Sequence, residues 1–226
     1  PPVFELYGET ARASLVDAGF DVRTTVVPDG EASKSVEQLS HLWDRFVEDR
    51  LERDSPVVAL GGGVAGELAG FAAATFKRGV PFVQCPTTLL AQVDSSVGGK
   101  VAIDHAAGKN LIGAFHQPVM VIADTGLLDS LPAREFRSGY AEVVKYGLIA
   151  DADLFAWLDE HAEALLRRDQ AALGHVIRRS CELKAAIDEW ASVLGADFVV
   201  EDERDTGSAA TATFATTSDI HAILRP

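Results

Sequence analysis

Cysteine is scarce in this chain of 226 residues: Cys85 and Cys181 are the two present, far apart and in no CxxC pair. A disulfide framework and a cysteine zinc site are therefore excluded as organising features. Methionine occurs once and aromatic residues make up 8%, and no charge-free apolar run reaches the ~18 residues needed to span a bilayer. No segment with a charged start, an apolar middle and a small-residue end opens the chain, so the expectation is a soluble, cytoplasmic protein with no membrane partner. Basic residues are outnumbered, 20 against 34 acidic ones, for a formal net charge of −14. Binding nucleic acid by phosphate neutralisation needs basic patches, so no nucleic-acid partner is expected. What the chain does have is apolar content, 47% of its residues. That is too much for a disordered or collagenous chain and enough for one large domain or two small ones.

Lysine is the scarcer cation, with six residues against 14 arginines. A compact ammonium on a flexible stem suits point contact with phosphate and pKa tuning, so each position retained as lysine is informative. Lys77, beside Arg78 and Gly79 at an expected helix end, reads as a surface residue. Lys34, Lys100, Lys109, Lys145 and Lys184 fall inside denser motifs.

The pattern predicts a helix over residues 4–18, a β-branched strand over 22–27 and a turn at 28–31, with Ser33 capping a helix over 36–51. Strands follow at 56–60, 81–85 and 119–123, with a small-residue helix over 64–76; the apolar run at 119–123 suggests burial on both faces. Alternating strands and helices imply an α/β fold with a doubly wound, mostly parallel sheet. After Pro132 strand signals stop and amphipathic helices are expected over 133–149, 152–166 and 170–193. The division expected is an α/β domain over 1–132 and the beginning of an all-helical domain over 133–226, irregular after about residue 187. The chain also begins at a helix, where a doubly wound domain normally opens with a strand.

Gly61-Gly62-Gly63-Val64-Ala65-Gly66 matches G-x-G-x-x-G directly after a strand and at the opening of a helix. Glycines there let a pyrophosphate approach backbone N–H groups at a positive helix end. The acidic partner about 20 residues on that would hold a ribose is missing, and Glu31 on the preceding loop is an alternative. Tight packing of Gly66, Ala69, Gly70 and Ala73 on the sheet accounts for the same glycines, and both readings stay open. The segment 86–100 gathers Thr87, Thr88, Asp94, Ser95, Ser96, Gly98, Gly99 and Lys100, and Gly108-Lys109-Asn110 follows. Lysine after glycine is how phosphate-cradling loops are built, although the GxxxxGK[ST] spacing is absent. Glu142 and Lys145 share a helix face by the i, i+3 rule, as a surface ion pair or with the carboxylate free for a divalent metal. His41, His105, His116, His161 and His175 show no HxxxH or comparable pairing that would complete such a site.

Together these segments resemble the 3-dehydroquinate synthase family. The matching stretches are DGEASK from Asp29, GGGVAGELAGFAAATFKRG, PTTLLAQVDSSVGGK, GKNLIGAFHQP, LPAREFRSGYAEVVKYG and SCELKA around Lys184, and the similarity runs to about Ala186. The wider fold resembles that of metal-dependent glycerol dehydrogenases. The resemblance implies an NAD-binding α/β domain followed by a helical domain, a bound divalent metal (zinc or cobalt), and a homodimer. The implied reaction cyclises a phosphorylated seven-carbon keto acid by transient oxidation with NAD, phosphate elimination and aldol closure. By position, Asp29, Gly30, Glu31, Ala32, Ser33, Lys34, Gly63, Val64, Ala65, Gly66, Glu67, Thr87, Thr88, Lys100 and Lys109 would contact NAD. The turn Leu127, Leu128, Asp129 and Ser130 would also take part. Asp94, Lys100, Asn110, Lys145 and Lys184 would surround substrate as catalytic residues, and Glu142 would ligate the metal. Five of the six lysines would then form a local cationic funnel on an acidic protein. Beyond Ala186 the pattern departs: extra residues over about 187–198 precede the acidic stretch Glu201 to Gly207. The family's arginine, asparagine and first metal histidine are replaced at about Ala209, Thr213 and Thr216, with His221 near the second histidine's place. An NAD-binding protein without turnover, or another sugar-phosphate cyclase or polyol dehydrogenase, are the alternatives.

Overall fold

Residues 3–194 are described by the computed structural model; helices and strands are interspersed as far as residue 121, and the elements after it are helical. A π-helical turn at Phe4–Gly8 runs into α1 (Glu9–Asp17), which covers the expected first helix. The strand expected at 22–27 is overturned: the segment has no regular structure and joins neither sheet. β-Branched residues favour a strand where a neighbouring strand takes up their hydrogen bonds, and this run has none beside it. Helix α2 (Val36–Glu48) starts as expected, but its cap is Ser35, whose Oγ accepts from the Gln38 N–H at 3.2 Å. Ser33 instead donates to the Pro28 carbonyl at 2.8 Å and braces the 3₁₀ turn Glu31–Ser33.

Strand β1 (Val57–Gly61) leads through Gly62 into α3 (Gly63–Thr75), and β2 (Phe82–Pro86) returns parallel to β1. A hairpin of β3 (Lys100–His105) and β4 (Gly108–Phe115) follows, where the sequence suggested polar loops. Its signal is the short alternation in which Val101 and Ile103 are buried at 2% and 1% exposure. Helix α3 passes so close to the hairpin and to β2 that a Cβ on Gly70 would lie 2.5 Å from Val101 Cγ1 and 2.9 Å from the Phe82 ring. Leu39, Leu42 and Phe46 of α2, Leu68 and Phe71 of α3, and Phe82 build this first core with the hairpin.

The last strand, β5 (Met120–Val121), pairs in parallel with β2 and ends the order β1-β2-β5. Burial on both faces is not what it has: Val119 is 68% and Met120 57% exposed. As the edge strand of the described sheet it has a neighbour on one side alone, and its apolar run is left facing outward.

From here the chain is helical, as expected: a 3₁₀ turn at Thr125–Ser130, then α4 (Ala133–Ala150), α5 (Ala152–Leu166) and α6 (Gln170–Leu194). Asp151 separates α4 from α5 and caps α5, accepting from the Leu154 N–H at 2.9 Å. A second core gathers Phe136, Val143, Leu154, Leu158, Leu173 and Val176, and draws in Leu89 and Val93 from the segment after β2. Pro1–Trp190 form one compact unit; of the second, Ala191–Pro226, only the end of α6 falls within the described residues. The expectations placed on Glu201 to Gly207, Ala209, Thr213, Thr216 and His221 lie outside them. Among the described residues no helix is long and apolar enough to cross a membrane. The architecture is thus α/β with a parallel sheet and a helical C-terminal part.

Candidate functional site

The glycine-rich turn stands where a strand delivers its backbone to a helix start. Gly62 is the N-cap of α3 and no side chain caps it, so the first N–H groups of the helix keep their bonding capacity and its positive end is open. A Cβ on Gly62 would approach Thr88 Cγ2 to 3.2 Å, and one on Gly63 would approach Ser95 Oγ to 3.0 Å. Thr87 is tied in by its N–H to the Gly61 carbonyl at 2.9 Å, yet its Oγ1 is buried with no partner, as is Ser96 Oγ. Open donors, a glycine cradle and orphaned hydroxyls fit the phosphates of a dinucleotide. Gly66 answers to the packing reading instead, since a Cβ there would meet Gln84 Oε1 at 2.9 Å. Both explanations of the glycines hold, at different positions. Val64 and Ala65 are half-buried on the first turn of α3, while Asp29, Gly30 and Ala32 are exposed.

Beside this turn, Lys34 is held at 2% side-chain exposure among three carboxylates: Glu67 at 2.5 Å, Glu31 at 3.6 Å and Asp104 at 3.8 Å. It also donates to Asn110 Oδ1, and the Asn110 N–H donates to Asp104 Oδ1 at 2.9 Å. Burial works against the Lys34 charge, but the hydrogen bond and charge of Glu67, then Glu31 and Asp104, outweigh it and hold its pKa above the ordinary value. Burial raises the Glu67 pKa; Lys34 opposes this, while Glu31 and Asp104 add to it, because three carboxylates share one ammonium. Lys109 reaches the same knot at its rim, 3.5 Å from Glu31. Asn110, assigned with the substrate group, sits in this cluster rather than with Asp94.

The second cluster lies where the segment after β2 meets the helices. Asp94 receives the Lys184 ammonium and the Tyr146 hydroxyl, the latter at 3.1 Å. Burial, then the charge and hydrogen bond of Asp94, then Glu142 and Asp188, push the Tyr146 pKa far above 10, so the phenol stays protonated. Lys100 pairs with Asp188 at 3.1 Å and Lys145 with Glu142 at 2.7 Å. Among the described residues no group of three His, Cys, Asp or Glu is placed to hold a metal ion. A zinc site takes about three protein ligands, so Glu142 does not make one with the residues described. His161 and His175 flank Trp157, with ring centroids 4.0 Å and 4.3 Å away.

The turn Leu127 to Ser130 is gripped from its own side of the molecule. Arg168 donates to the Leu128 carbonyl at 2.5 Å and to the Asp129 and Leu131 carbonyls, Tyr7 Oη lies 2.5 Å from Ser130 Oγ, and the Leu128 side chain is buried in the helical core. Sequence reasoning missed three residues: Tyr146, Asp104 and Asp188. Tyr146 had a signal, four residues after Glu142 and next to Lys145. Asp104 and Asp188 had none, since their partners are far away in sequence.

Comparison with known proteins bears on the family and the fold. Residues 24–138 match the model of the 3-dehydroquinate synthase N-terminal domain and residues 139–217 that of its C-terminal domain. A 3-dehydroquinate synthase of Pelotomaculum thermopropionicum is 55% identical over 189 residues, covering 84% of this chain and 51% of that protein. The 2-epi-5-epi-valiolone synthase of Streptomyces hygroscopicus subsp. jinggangensis, solved with NAD⁺ and Zn²⁺ bound, superposes with a TM-score of 0.79 at 31% identity, over 84% of this chain and 54% of that one. A 2-deoxy-scyllo-inosose synthase, solved with carbaglucose-6-phosphate, NAD⁺ and Co²⁺, gives a TM-score of 0.55 at 29% identity, over 74% of this chain and 50% of that one. The chain thus spans about half the length of the curated relatives it matches. With both family models matched in order, and with the glycine turn and the Asp94 cluster drawn from the matched segments, the chain belongs to the 3-dehydroquinate synthase family.

Proposed function

We propose that this chain carries the NAD-binding part and the start of the helical part of a 3-dehydroquinate synthase. Such an enzyme converts 3-deoxy-D-arabino-heptulosonate 7-phosphate to 3-dehydroquinate and phosphate. The observation that carries the reading is Asp94, held between Lys184 and Tyr146 on the segment after β2 whose Thr88 and Ser95 line the open glycine turn. NAD, when bound, supplies reversible oxidation of a ring hydroxyl and so acidifies the neighbouring C–H. The start of α3 receives the pyrophosphate on backbone N–H groups, and the Lys34 knot fixes Glu67 and Asn110 beside it. Lys100 and Lys184 offer charge to a phosphorylated carboxylate, and Asp94 orients Lys184 while the Tyr146 phenol keeps its proton. Residues 1–132 would form the NAD-binding domain and 133–226 the opening of the helical one; the two apolar cores support two centres of packing, with Leu89, Val93, Leu128 and Leu131 of the first part reaching into the helical core. A homodimer and a cytoplasmic location belong to the same reading and rest on the resemblance.

NAD titration by calorimetry tests it. Saturable binding is expected, weakened at least tenfold by Gly63→Val, whose side chain would close on Ser95; a wild-type chain that binds no NAD sinks the proposal. A second reading, NAD binding without turnover, is favoured by Glu142, which lacks described co-ligands and is paired with Lys145. Phosphate release from the seven-carbon substrate with added Zn²⁺ separates the two readings: release supports the synthase, binding without release the second.

A further inference from the structure

Asp188 stands just beyond the SCELKA stretch, among the extra residues over about 187–198, and no family motif assigns it a role. Its Oδ1 lies 3.1 Å from Lys100 Nζ. Its Oδ2 is shut off from solvent and has no hydrogen-bond partner. That oxygen presses on Gly98, in the left-handed region at φ +98°, where an added Cβ would come within 2.4 Å of it. The carboxylate is thus seated on a glycine turn with a lysine beside it, in the posture an incoming anion would take. Its surroundings do not welcome a negative charge: Asp94, Glu142 and Asp188 all act on the same Tyr146 hydroxyl. A buried, unsatisfied carboxylate oxygen is destabilising, so the contact is held weakly and released easily. Lys100 is itself 61% exposed in its side chain, which keeps the pair weak.

We propose that Asp188 is a built-in competitor for the anion site. Its carboxylate occupies Lys100 and the turn at Gly98, and a phosphate or carboxylate ligand binds by displacing it. The proposal rests on the assignment of Lys100 to an anionic ligand and adds the residue that opposes it. Removing the competitor frees Lys100 of an attraction worth about fivefold at about 4 Å even at the dielectric constant of bulk water, and that factor returns as affinity for the anion.

Inorganic phosphate and NAD are titrated by calorimetry into the wild-type chain, Asp188→Asn, Lys100→Ala and the double variant. Phosphate affinity is expected to rise at least about fivefold in Asp188→Asn, with the gain absent in the Lys100→Ala background. Unchanged or weaker phosphate binding in Asp188→Asn, with Lys100→Ala still losing affinity, overturns the competitor and leaves the Lys100 assignment standing. No phosphate or NAD binding by any of the four proteins overturns both. Should Asp188→Asn fold poorly, Asp188→Ser serves, and acylation of Lys100 by an amine reagent, followed by mass spectrometry, gives a ligand-free readout. Faster labelling without the carboxylate is expected, and an unchanged rate overturns the proposed contact.

Discussion

Lys34 is where a single residue decides most. Its ammonium lies within 4 Å of Glu67, Glu31 and Asp104, so removing it leaves three like charges facing one another around a half-buried carboxylate. Breaking a buried pair from one side costs about 3–5 kcal/mol, and the partial exposure of Glu67 places Lys34→Met near the lower end. The pH dependence has a definite sign. Glu67 titrates above its ordinary value, so its protonation favours the folded state, and stability falls as pH rises through its folded pKa. Without Lys34 that pKa moves further up, and urea melts of Lys34→Met should show a loss that shrinks as the pH is lowered from 8 toward 5. A pH-independent loss would mean that the knot is not electrostatic. From sequence, Lys34 and Glu67 could be assigned to NAD by resemblance, but their mutual pairing could not be read, because it depends on the loop before α2 folding back against α3. The same holds for Asp94 and Lys184, which meet across 90 residues of chain.

At the scale of elements, the legible parts were those whose signal is local. Helices α4, α5 and α6 begin and end within a residue or two of their apolar periodicity, because each buries one stripe, with Asp151 capping the start of α5 and Asp169 that of α6. Strands need partners, and there the sequence misled: 22–27 has the residues of a strand with no ladder to join, and Met120–Val121 has a ladder on one side alone. The β3–β4 hairpin was hidden by its glycines and lysines, which read as phosphate-loop chemistry. Asp151 shows how a junction between helices can be tested. It accepts from the Leu154 N–H and from Arg179 Nε at 2.6 Å; burial works to raise its pKa, but these contacts hold it below the ordinary 3.8. Asp151→Asn keeps a cap acceptor for the Leu154 N–H and removes the charge that holds Arg179, so it should cost about 0.5–1 kcal/mol, the worth of a partly exposed ion pair. Since the folded pKa is depressed, the stabilisation is present above 3.8 and lost as pH falls through the folded value. Thermal melts of the two proteins should differ at pH 7 and converge in acid; a gap that persists there would assign the effect to packing.

For the molecule as a whole, the net charge of −14 and the six lysines have to be weighed together. The sequence suggested a cationic funnel, with scarce lysines gathered for an anionic ligand. In the structure each of the six is paired with a carboxylate: Lys34 with Glu67, Lys77 with Glu52, Lys100 with Asp188, Lys109 with Glu31, Lys145 with Glu142 and Lys184 with Asp94. The positions were legible by resemblance, and the Glu142–Lys145 pair from its i, i+3 spacing, whereas the neutralisation of Lys34 by Glu67, Lys100 by Asp188 and Lys184 by Asp94 was not, because those partners come from other elements. An approaching anion therefore meets an acidic body from far away and finds attraction only by exchanging with a carboxylate at contact. Long-range repulsion is screened early, as the Debye length falls from about 30 Å at 0.01 M to about 10 Å at 0.1 M, while contact exchange is screened much less. Electrostatic steering would make association slower with added salt. Here the association rate of a fluorescent NAD analogue, followed by stopped flow, should stay flat or rise between 0.01 and 0.1 M salt. A severalfold fall over that range would show that the lysines act as an open funnel in solution, and that the pairing seen at Lys100 and Lys184 does not govern how the ligand arrives.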